Sequence, residues 1–525
     1  MSRQITNIAG IVRVHGSGRP DSTALVQDDR TQTWGELFER SSRVAQALAE
    51  LGVGATDRVA FLDKNGIEHF EVFFGAAMLN AVCVDVNWRL AAPEVQFIVD
   101  DADAKVLVVG PDFVPILDQI AESLLKVEKF VVIGEHAGYE SYDVWVARHD
   151  AVDPGAEGAA DDIAFQLYSS GTTGRPKGVM LSNDNFLGLL PVAKELWELD
   201  ADAVNLVAMP LFHIGGGGWA IAGMYEGCTS VILPELDPAA LITTLVEKKV
   251  THAFLVPAVL QFMLMVPGVA AADYSNLKVF VYGASPISEE VLASCVEMFY
   301  PCKFWQAYGL TETTGAVVNL PPEDHNPSGS SRHRLRSCGV AGPGVELQIV
   351  GDDGQALSHD EVGEIWIRSR QNMVGYWHLP EETAKALTDD GWFKSGDAGY
   401  LDADGYLYIH DRVKDMIVSG GENVYPAEVE NILMKHPAIS DAAVIGVPHE
   451  KWGETAKAIV VVADGHTPDD DTAAGIIAFA KSQLATFKCP TSIDYTDALP
   501  RNPSGKILKK DLREPFWEGR SRRVS

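Results

Sequence analysis

Between residues 33 and 52 the apolar positions Leu37, Val44, Leu48 and Leu51 recur at helical spacing. Thr33 and Glu36 form a capping box in front of them, and Gly52 stands where a C-terminal cap belongs, so the pattern predicts a helix. It then alternates: a short apolar run at 58–62, a helical stretch at 67–79, a run at 81–86, a helix opening at Pro93, and a run at 105–109. Strands alternating with helices predict an α/β layer whose strands are largely parallel. Residues 163–168 and 278–282 read as further strands. The rhythm changes near the C-terminus, where a helix at 426–435, strands at 442–445 and 456–462 and a helix at 471–484 predict a compact α+β unit.

Length turns this pattern into more than one body, because 525 residues exceed a single ordinary core. An acidic, Gly/Ala-rich connector at 150–162 interrupts the first part, and no internal repeat is visible. The formal charge of −31 argues against nucleic acid as a partner, since a surface that tracks phosphates is basic. It also means that any polyphosphate site must be locally basic or carry a divalent cation. Six scattered cysteines without a CxxC or Cys/His cluster suggest reduced thiols, with neither a zinc site nor a disulfide frame. With no basic-then-apolar leader pattern, a cytoplasmic protein is expected. Residues 203–225 lack Asp, Glu, Lys and Arg over the length of a membrane span, but they include Asn205, Pro210, His213 and four consecutive glycines, Gly215 to Gly218. A buried strand followed by a pocket-lining loop is the expectation there.

The densest chemical signal is YSSGTTGRPKGV, residues 168–179. Glycines let backbone amides approach an anion closely, and the hydroxyls of Ser169, Ser170, Thr172 and Thr173 add donors. With Gly171, Gly174 and Lys177, a strand feeding this turn is suited to holding a polyphosphate. It is not the common G-x-x-x-x-G-K-[ST] loop, because Lys177 lies between Pro176 and Gly178. A second string, WQAYGLTETT at 305–314, contains Gln306, Ala307, Tyr308, Gly309, Thr311 and Glu312. Tyr308 offers a ring for stacking on a base, Thr311 a hydroxyl for a phosphate, and Glu312 a hard oxygen for Mg²⁺. Arg332, Arg334 and Arg336 interrupt an acidic chain, as a solvated loop or as a basic lip for CoA phosphates or an anionic membrane. LPRNPSGKILKKDL at 499–512 is another glycine turn that delivers a lysine, Lys506, followed by Lys509 and Lys510, which read as solvated.

These segments, in this order, resemble the adenylate-forming superfamily of acyl-CoA synthetases, peptide-synthetase adenylation domains and luciferases. The likeness spans nearly the whole chain and is closest to fatty-acyl-CoA synthetases of actinobacterial type, especially across KDMIVSGGENVYPAEVE and PRNPSGKI. It implies a large multi-sheet N-terminal domain, 1–410, and a small mobile α+β domain, 411–525, with a hinge at Asp411. By the same resemblance Gly283, Ala284 and Ser285 lie along the adenine, and Asp397 accepts both ribose hydroxyls. Arg412 and Lys414 reach the nucleotide, and Gly420 and Gly421 line the pantetheine channel. The implied catalytic set is Lys506, Glu312 and His213, with His213 gating an acyl pocket, and Ser169 joins Glu312 at the metal. Val418 departs from the pattern, because some relatives carry lysine there. The implied substrates are ATP, coenzyme A and a small-molecule carboxylic acid, a fatty acid first, with Mg²⁺. A ligase loading a carrier protein, or one for a steroid side chain or aryl acid, is the alternative. Peripheral membrane contact and a homodimer stay open.

Overall fold

The computed structural model describes residues 4–518 other than 170–175, 286, 328, 330, 352, 413–414, 420–421, 450–451, 485 and 502–506. Two compact units divide the chain, one of Met1–Leu335, Ala341–Glu346 and Arg368–Phe393, the other of Arg336–Val340, Leu347–Ile367 and Lys394–Ser525.

The predicted first helix runs Trp34–Glu50. Glu36 N donates to Thr33 Oγ1 and Thr33 N donates to Glu36 Oε2, closing the capping box. Gly52 ends it at φ +72°, where Gly52 N and Val53 N satisfy the carbonyls of Ala49 and Leu48. The helix packs on Ile67–Met78. Gly75 permits the close approach, since a Cβ there would lie 2.6 Å from Val44 Cγ1 and 3.1 Å from the Ser41 carbonyl.

An eight-stranded sheet in this unit has the order Gly375–Tyr376, Lys177–Ser182, Ile163–Ser169, Val82–Asp85, Arg58–Leu62, Ala104–Val109, Lys129–Val132, Glu140–Ser141. From Ile163–Ser169 onward neighbours pair in parallel; the first two strands add antiparallel to that edge. In a second, nine-stranded sheet, Gly315–Leu320 pairs antiparallel with Lys303–Leu310, and Lys303–Leu310, Val279–Gly283, His252–Leu255, Val204–Val207, Thr229–Ile232 and Thr23–Gln27 are parallel neighbours. The α/β layer of parallel strands is therefore present twice, with fully buried, mainly apolar strands as parallel sheets require.

The uncharged stretch becomes the buried strand Val204–Val207, a turn, and the helix Ile214–Glu226. Among the described residues no helix is long and apolar enough to cross a membrane. All six cysteines are buried, and among the described residues none forms a disulfide. One Cys/His/Asp cluster invisible in the spacing does form: His69 Nε2 lies 2.8 Å from Asp85 Oδ2 and Cys83 Sγ 3.5 Å from Asp85 Oδ1.

The second unit carries most of a four-stranded sheet, ordered Val345–Val350, Gly363–Ser369, Phe393–Leu401, Leu407–Arg412. Its other sheet is built on Gly453–Val462, which pairs antiparallel with Ile439–His449 and parallel with Ser492–Tyr495. Period-two alternation along Ile439–His449 serves both faces. Ala442 and Val444 pack with Val429, Leu433 and Ile476, while Ala443, Ile445 and Val447 pack with Leu512 and Phe516. Lys509 is not solvated as expected: it is drawn onto Glu430 at 3.0 Å with its side chain 12% exposed.

Gly75→Ala should destabilise the first unit by about 1–3 kcal/mol, the usual cost of overpacking a tight helix contact. A lowered urea midpoint with an unchanged slope measures it, and an unshifted midpoint would mean the two helices separate without cost.

Candidate active site

The hydroxyl- and glycine-rich segment joins the two strands of a hairpin. Ile163–Ser169 and Lys177–Ser182 pair antiparallel with Ser169 opposite Lys177, and the short strand Gly375–Tyr376 extends the pair with Tyr376 opposite Val179. Alternation places Ser169, Lys177 and Tyr376 on one face. A 3₁₀ turn, Thr311–Thr313, meets that face at the end of the strand Lys303–Leu310. Ser169 Oγ donates to Glu312 Oε1 at 3.2 Å, and the Tyr376 hydroxyl donates to the same oxygen at 3.0 Å. No donor among the described residues reaches Glu312 Oε2. Lys177 Nζ lies 4.9 Å from the centroid of the Tyr376 ring and donates to Glu382 Oε2 at 2.6 Å. On the opposite face Tyr168 donates to Asp101 at 2.7 Å, Trp377 Nε1 donates to the Asp101 carbonyl, and the Arg58 guanidinium stacks 3.5 Å from the Trp377 ring. The hairpin is thus fixed from both sides.

A second group gathers where two parallel strands end. In Val279–Gly283 and Lys303–Leu310, Gly283 stands opposite Ala307. A Cβ on Gly283 would lie 2.1 Å from the Ala307 carbonyl oxygen, and one on Gly309 would lie 1.8 Å from that of Gly315, so the backbones approach only because both are glycine. Ala284 follows at φ +66°, a left-handed conformation uncommon for a residue with a side chain. Ser285, Gln306, Ala307, Tyr308, Gly309 and Thr311 are half-buried along this rim. In the second unit Asp397, 7% exposed, stands opposite Arg412 across an antiparallel pair. Ser170, Gly171, Thr172, Thr173, Gly174, Lys414, Gly420, Gly421 and Lys506 lie outside the described residues. Sequence reasoning missed Tyr376 and Glu382, since neither carries a spacing signal linking it to Glu312 or Lys177.

A carboxylate aligned by two hydroxyls beside an ammonium is equipped to hold a polyphosphate with its counter-cation. Over residues 12–377 the sequence matches the family described as AMP-binding enzyme, and over 428–506 the AMP-binding enzyme C-terminal domain. The chain belongs to the AMP-binding enzyme family. It is 39% identical to the fatty acid–[acyl-carrier-protein] ligase ScoC of Streptomyces coeruleorubidus, over 99% of both chains. It is 36% identical to the long-chain-fatty-acid–CoA ligase FadD13 of Mycobacterium tuberculosis, over 97% of this chain and 98% of that one. Among solved structures it resembles the anthranilate CoA ligase AuaEII in complex with anthranoyl-AMP, with a TM-score of 0.89, 28% identity and 97% of each chain covered.

In this AMP-binding enzyme the four glycines do not form a loop. They open the helix Ile214–Glu226, with His213 as its N-cap. Nor do they form one open wall. A Cβ on Gly216 would lie 2.1 Å from the Pro210 carbonyl oxygen, and one on Gly217 2.9 Å from that of Leu211 and 3.1 Å from the Phe165 ring. Those two glycines exist for close packing of the helix start. Gly218 is different: its nearest neighbours are the side chain of Ile214 and, at 3.9 Å, the Thr314 carbonyl just beyond Glu312. The arginine segment is a 3₁₀ helix, Arg332–Arg336, in which Arg332 pairs with Glu289 at 3.2 Å and Arg334 with the buried Asp324 at 3.3 Å.

His213 packs on Phe212, and its buried Nε2 has no hydrogen-bond partner among the described residues. Burial, with a smaller contribution from the charge of Arg89, lowers its pKa to about 4. The imidazole is therefore neutral at pH 7. Because the unfolded chain holds that proton more tightly, His213 adds stability in full above about pH 6.5, and loses it as pH falls toward 4. Its ring NMR resonances should stay at the neutral position from pH 8 down to about 5, and a midpoint near 6.5 would contradict the buried setting.

Proposed function

We propose that this AMP-binding enzyme is an AMP-forming acid–thiol ligase that activates a fatty acid. The carboxylate attacks the α-phosphorus of ATP, giving acyl-adenylate and pyrophosphate, and a thiol then displaces AMP to leave a thioester. A free carboxylate is a poor acyl donor, and adenylation supplies the leaving group. The observation that carries the reading is the convergence of Ser169 and Tyr376 on Glu312 Oε1, with Lys177 beside them. In a chain of charge −31, this is a place where a polyphosphate would find a cation and a hard oxygen ligand together.

Glu312 Oε2 and Ser169 Oγ fit Mg²⁺, which prefers oxygen ligands and keeps several waters. When bound, it would neutralise phosphate charge. Lys177 binds the phosphates, and Tyr376 orients the Glu312 carboxylate. Tyr308 stacks on the base, Gly283, Ala284 and Ser285 lie along it, and Asp397 accepts the ribose hydroxyls, with Arg412 and Lys414 reaching the nucleotide. Lys506 stabilises the charge that concentrates between carboxylate and α-phosphate, and Gly420 and Gly421 leave room for the thiol's arm. Support for a fatty acid comes from the two relatives, each a fatty acid ligase along nearly its whole length. Coenzyme A is the proposed acceptor. The relative at 39% identity uses an acyl-carrier protein, which makes a carrier protein the second reading. An aryl acid, as in the anthranilate ligase, is the rival substrate.

Acid-dependent pyrophosphate exchange across acids of graded length and shape, then thioester formation with CoA or with a carrier protein, tests the assignment. Medium- and long-chain fatty acids should support exchange and CoA should accept the acyl group; exchange only with aryl acids would sink the fatty-acid reading. Lys506→Ala should reduce exchange on the order of 10²-fold or more, yet make thioester from synthetic acyl-adenylate at nearly the parental rate. Gly421→Leu should do the opposite, and parallel loss of both steps in both mutants would refute this division of labour. Glu312→Gln should lower adenylation steeply with partial rescue at high Mg²⁺, and Tyr376→Phe should raise the Mg²⁺ requirement more mildly. Activity of Glu312→Gln that matches the parent at limiting Mg²⁺ would remove Glu312 from the metal site.

A further inference from the structure

We propose that Glu382 is an internal counter-anion which Lys177 exchanges for the phosphates of the nucleotide, and that Lys385 holds Glu382 once the exchange has taken place. The inference rests on Lys177 being a phosphate ligand, as read above, and adds a residue that sets nucleotide affinity.

Lys177 has a side chain only 11% exposed. An ammonium withdrawn from water to that extent needs a partner. Among the described residues it has two: the face of the Tyr376 ring and the carboxylate of Glu382. Glu382 projects from the short helix Pro380–Ala386, whose Thr383 Oγ1 accepts a hydrogen bond from Tyr376 N at 2.9 Å. That contact ties the carboxylate to the strand carrying Tyr376, so Glu382 is delivered by built structure.

The two carboxylate oxygens are divided between two cations. Oε2 accepts from Lys177 at 2.6 Å and Oε1 from Lys385 at 2.7 Å, three residues along the helix. Lys385 is 70% exposed and belongs to solvent, whereas Lys177 belongs to the site. These partners pull the carboxyl of Glu382 down to about 2, Lys177 contributing first, so it stays an anion at any working pH. If Lys177 turns to a phosphate, Glu382 keeps its bond to Lys385 and Oε2 turns toward water, since the side chain is 24% exposed. No charge is stranded at either end. A partly exposed pair of this kind has a small net free energy, while a polyphosphate offers the same ammonium several charged oxygens, so the exchange runs toward the nucleotide at modest cost. Glu382 therefore weakens nucleotide binding without entering the chemistry.

The experiment is calorimetric ATP binding to the full-length protein with Mg²⁺ and no acid. Glu382→Gln keeps the shape and removes the charge, and should tighten ATP binding about threefold to fivefold, matching a partly exposed ion pair. Lys385→Ala leaves Glu382 to Lys177 alone and should weaken it, by roughly twofold. Lys177→Ala should weaken it roughly tenfold, as expected for a lost charge-assisted contact, and in that background Glu382→Gln should change nothing. An unchanged or weaker affinity in Glu382→Gln, with a parental melting temperature, would overturn the proposal by making Glu382 a mere support for Lys177. An equal gain with and without Lys177 would also overturn it, since the carboxylate would then act only through the overall field. Lys177→Ala with parental ATP affinity is a separate failure, of the phosphate-ligand reading itself.

Discussion

Glu312 Oε1 receives two hydroxyl donors that start 143 and 64 residues away from it in the chain. That shared acceptor ties together the hairpin of Ile163–Ser169 and Lys177–Ser182, the edge strand Gly375–Tyr376 and the end of the strand Lys303–Leu310. A carboxylate in this half-buried setting needs donors, and two hydroxyls supply them without neutralising its charge. Among the described residues both donors go to one oxygen and none reaches the second. Ser169, Lys177 and Tyr376 share one face because antiparallel pairing fixes the register of their three strands, and a one-residue slip of any one strand would send its residue to the other face.

Backbone proximity imposes the second constraint. Gly283 against Ala307 and Gly309 against Gly315 bring main chains closer than any side chain allows, and Ala284 then takes up a left-handed conformation. Strain of this kind persists only where surrounding structure over-determines it. Here the neighbours are a parallel strand pair and the Tyr282 hydroxyl, 3.0 Å from His325 Nε2 in the buried layer beneath. The backbone along this rim is thereby over-determined by its neighbours.

Charge is the third. A chain of net charge −31 that handles anions has to keep its few cations inside the site from being wasted or left bare. Lys177 is held between an aromatic face and a carboxylate that has a second cation of its own. Arg332 and Arg334, by contrast, are committed to Glu289 and Asp324. Basic residues that look alike in the sequence are thus separated by their partners.

The sequence by itself determined the α/β class, the caps of the helix Trp34–Glu50 and most of the element positions it predicts. Those features are set by neighbours along the chain: apolar period, capping hydroxyls, glycines at turns. Thr33, Glu36 and Gly52 do what their spacing announces. The tertiary structure decided what depends on residues distant in sequence. The four glycines after His213 read as a bare wall, yet two of them are glycine because a carbonyl lies where a Cβ would go. Lys509 read as solvated and is held by Glu430. Tyr376 and Glu382 carry no local signal, because their roles exist only once strand register and one short helix bring them to Glu312 and Lys177. Periodicity reports which face of an element is buried; which side chain waits on the other side is settled by packing alone.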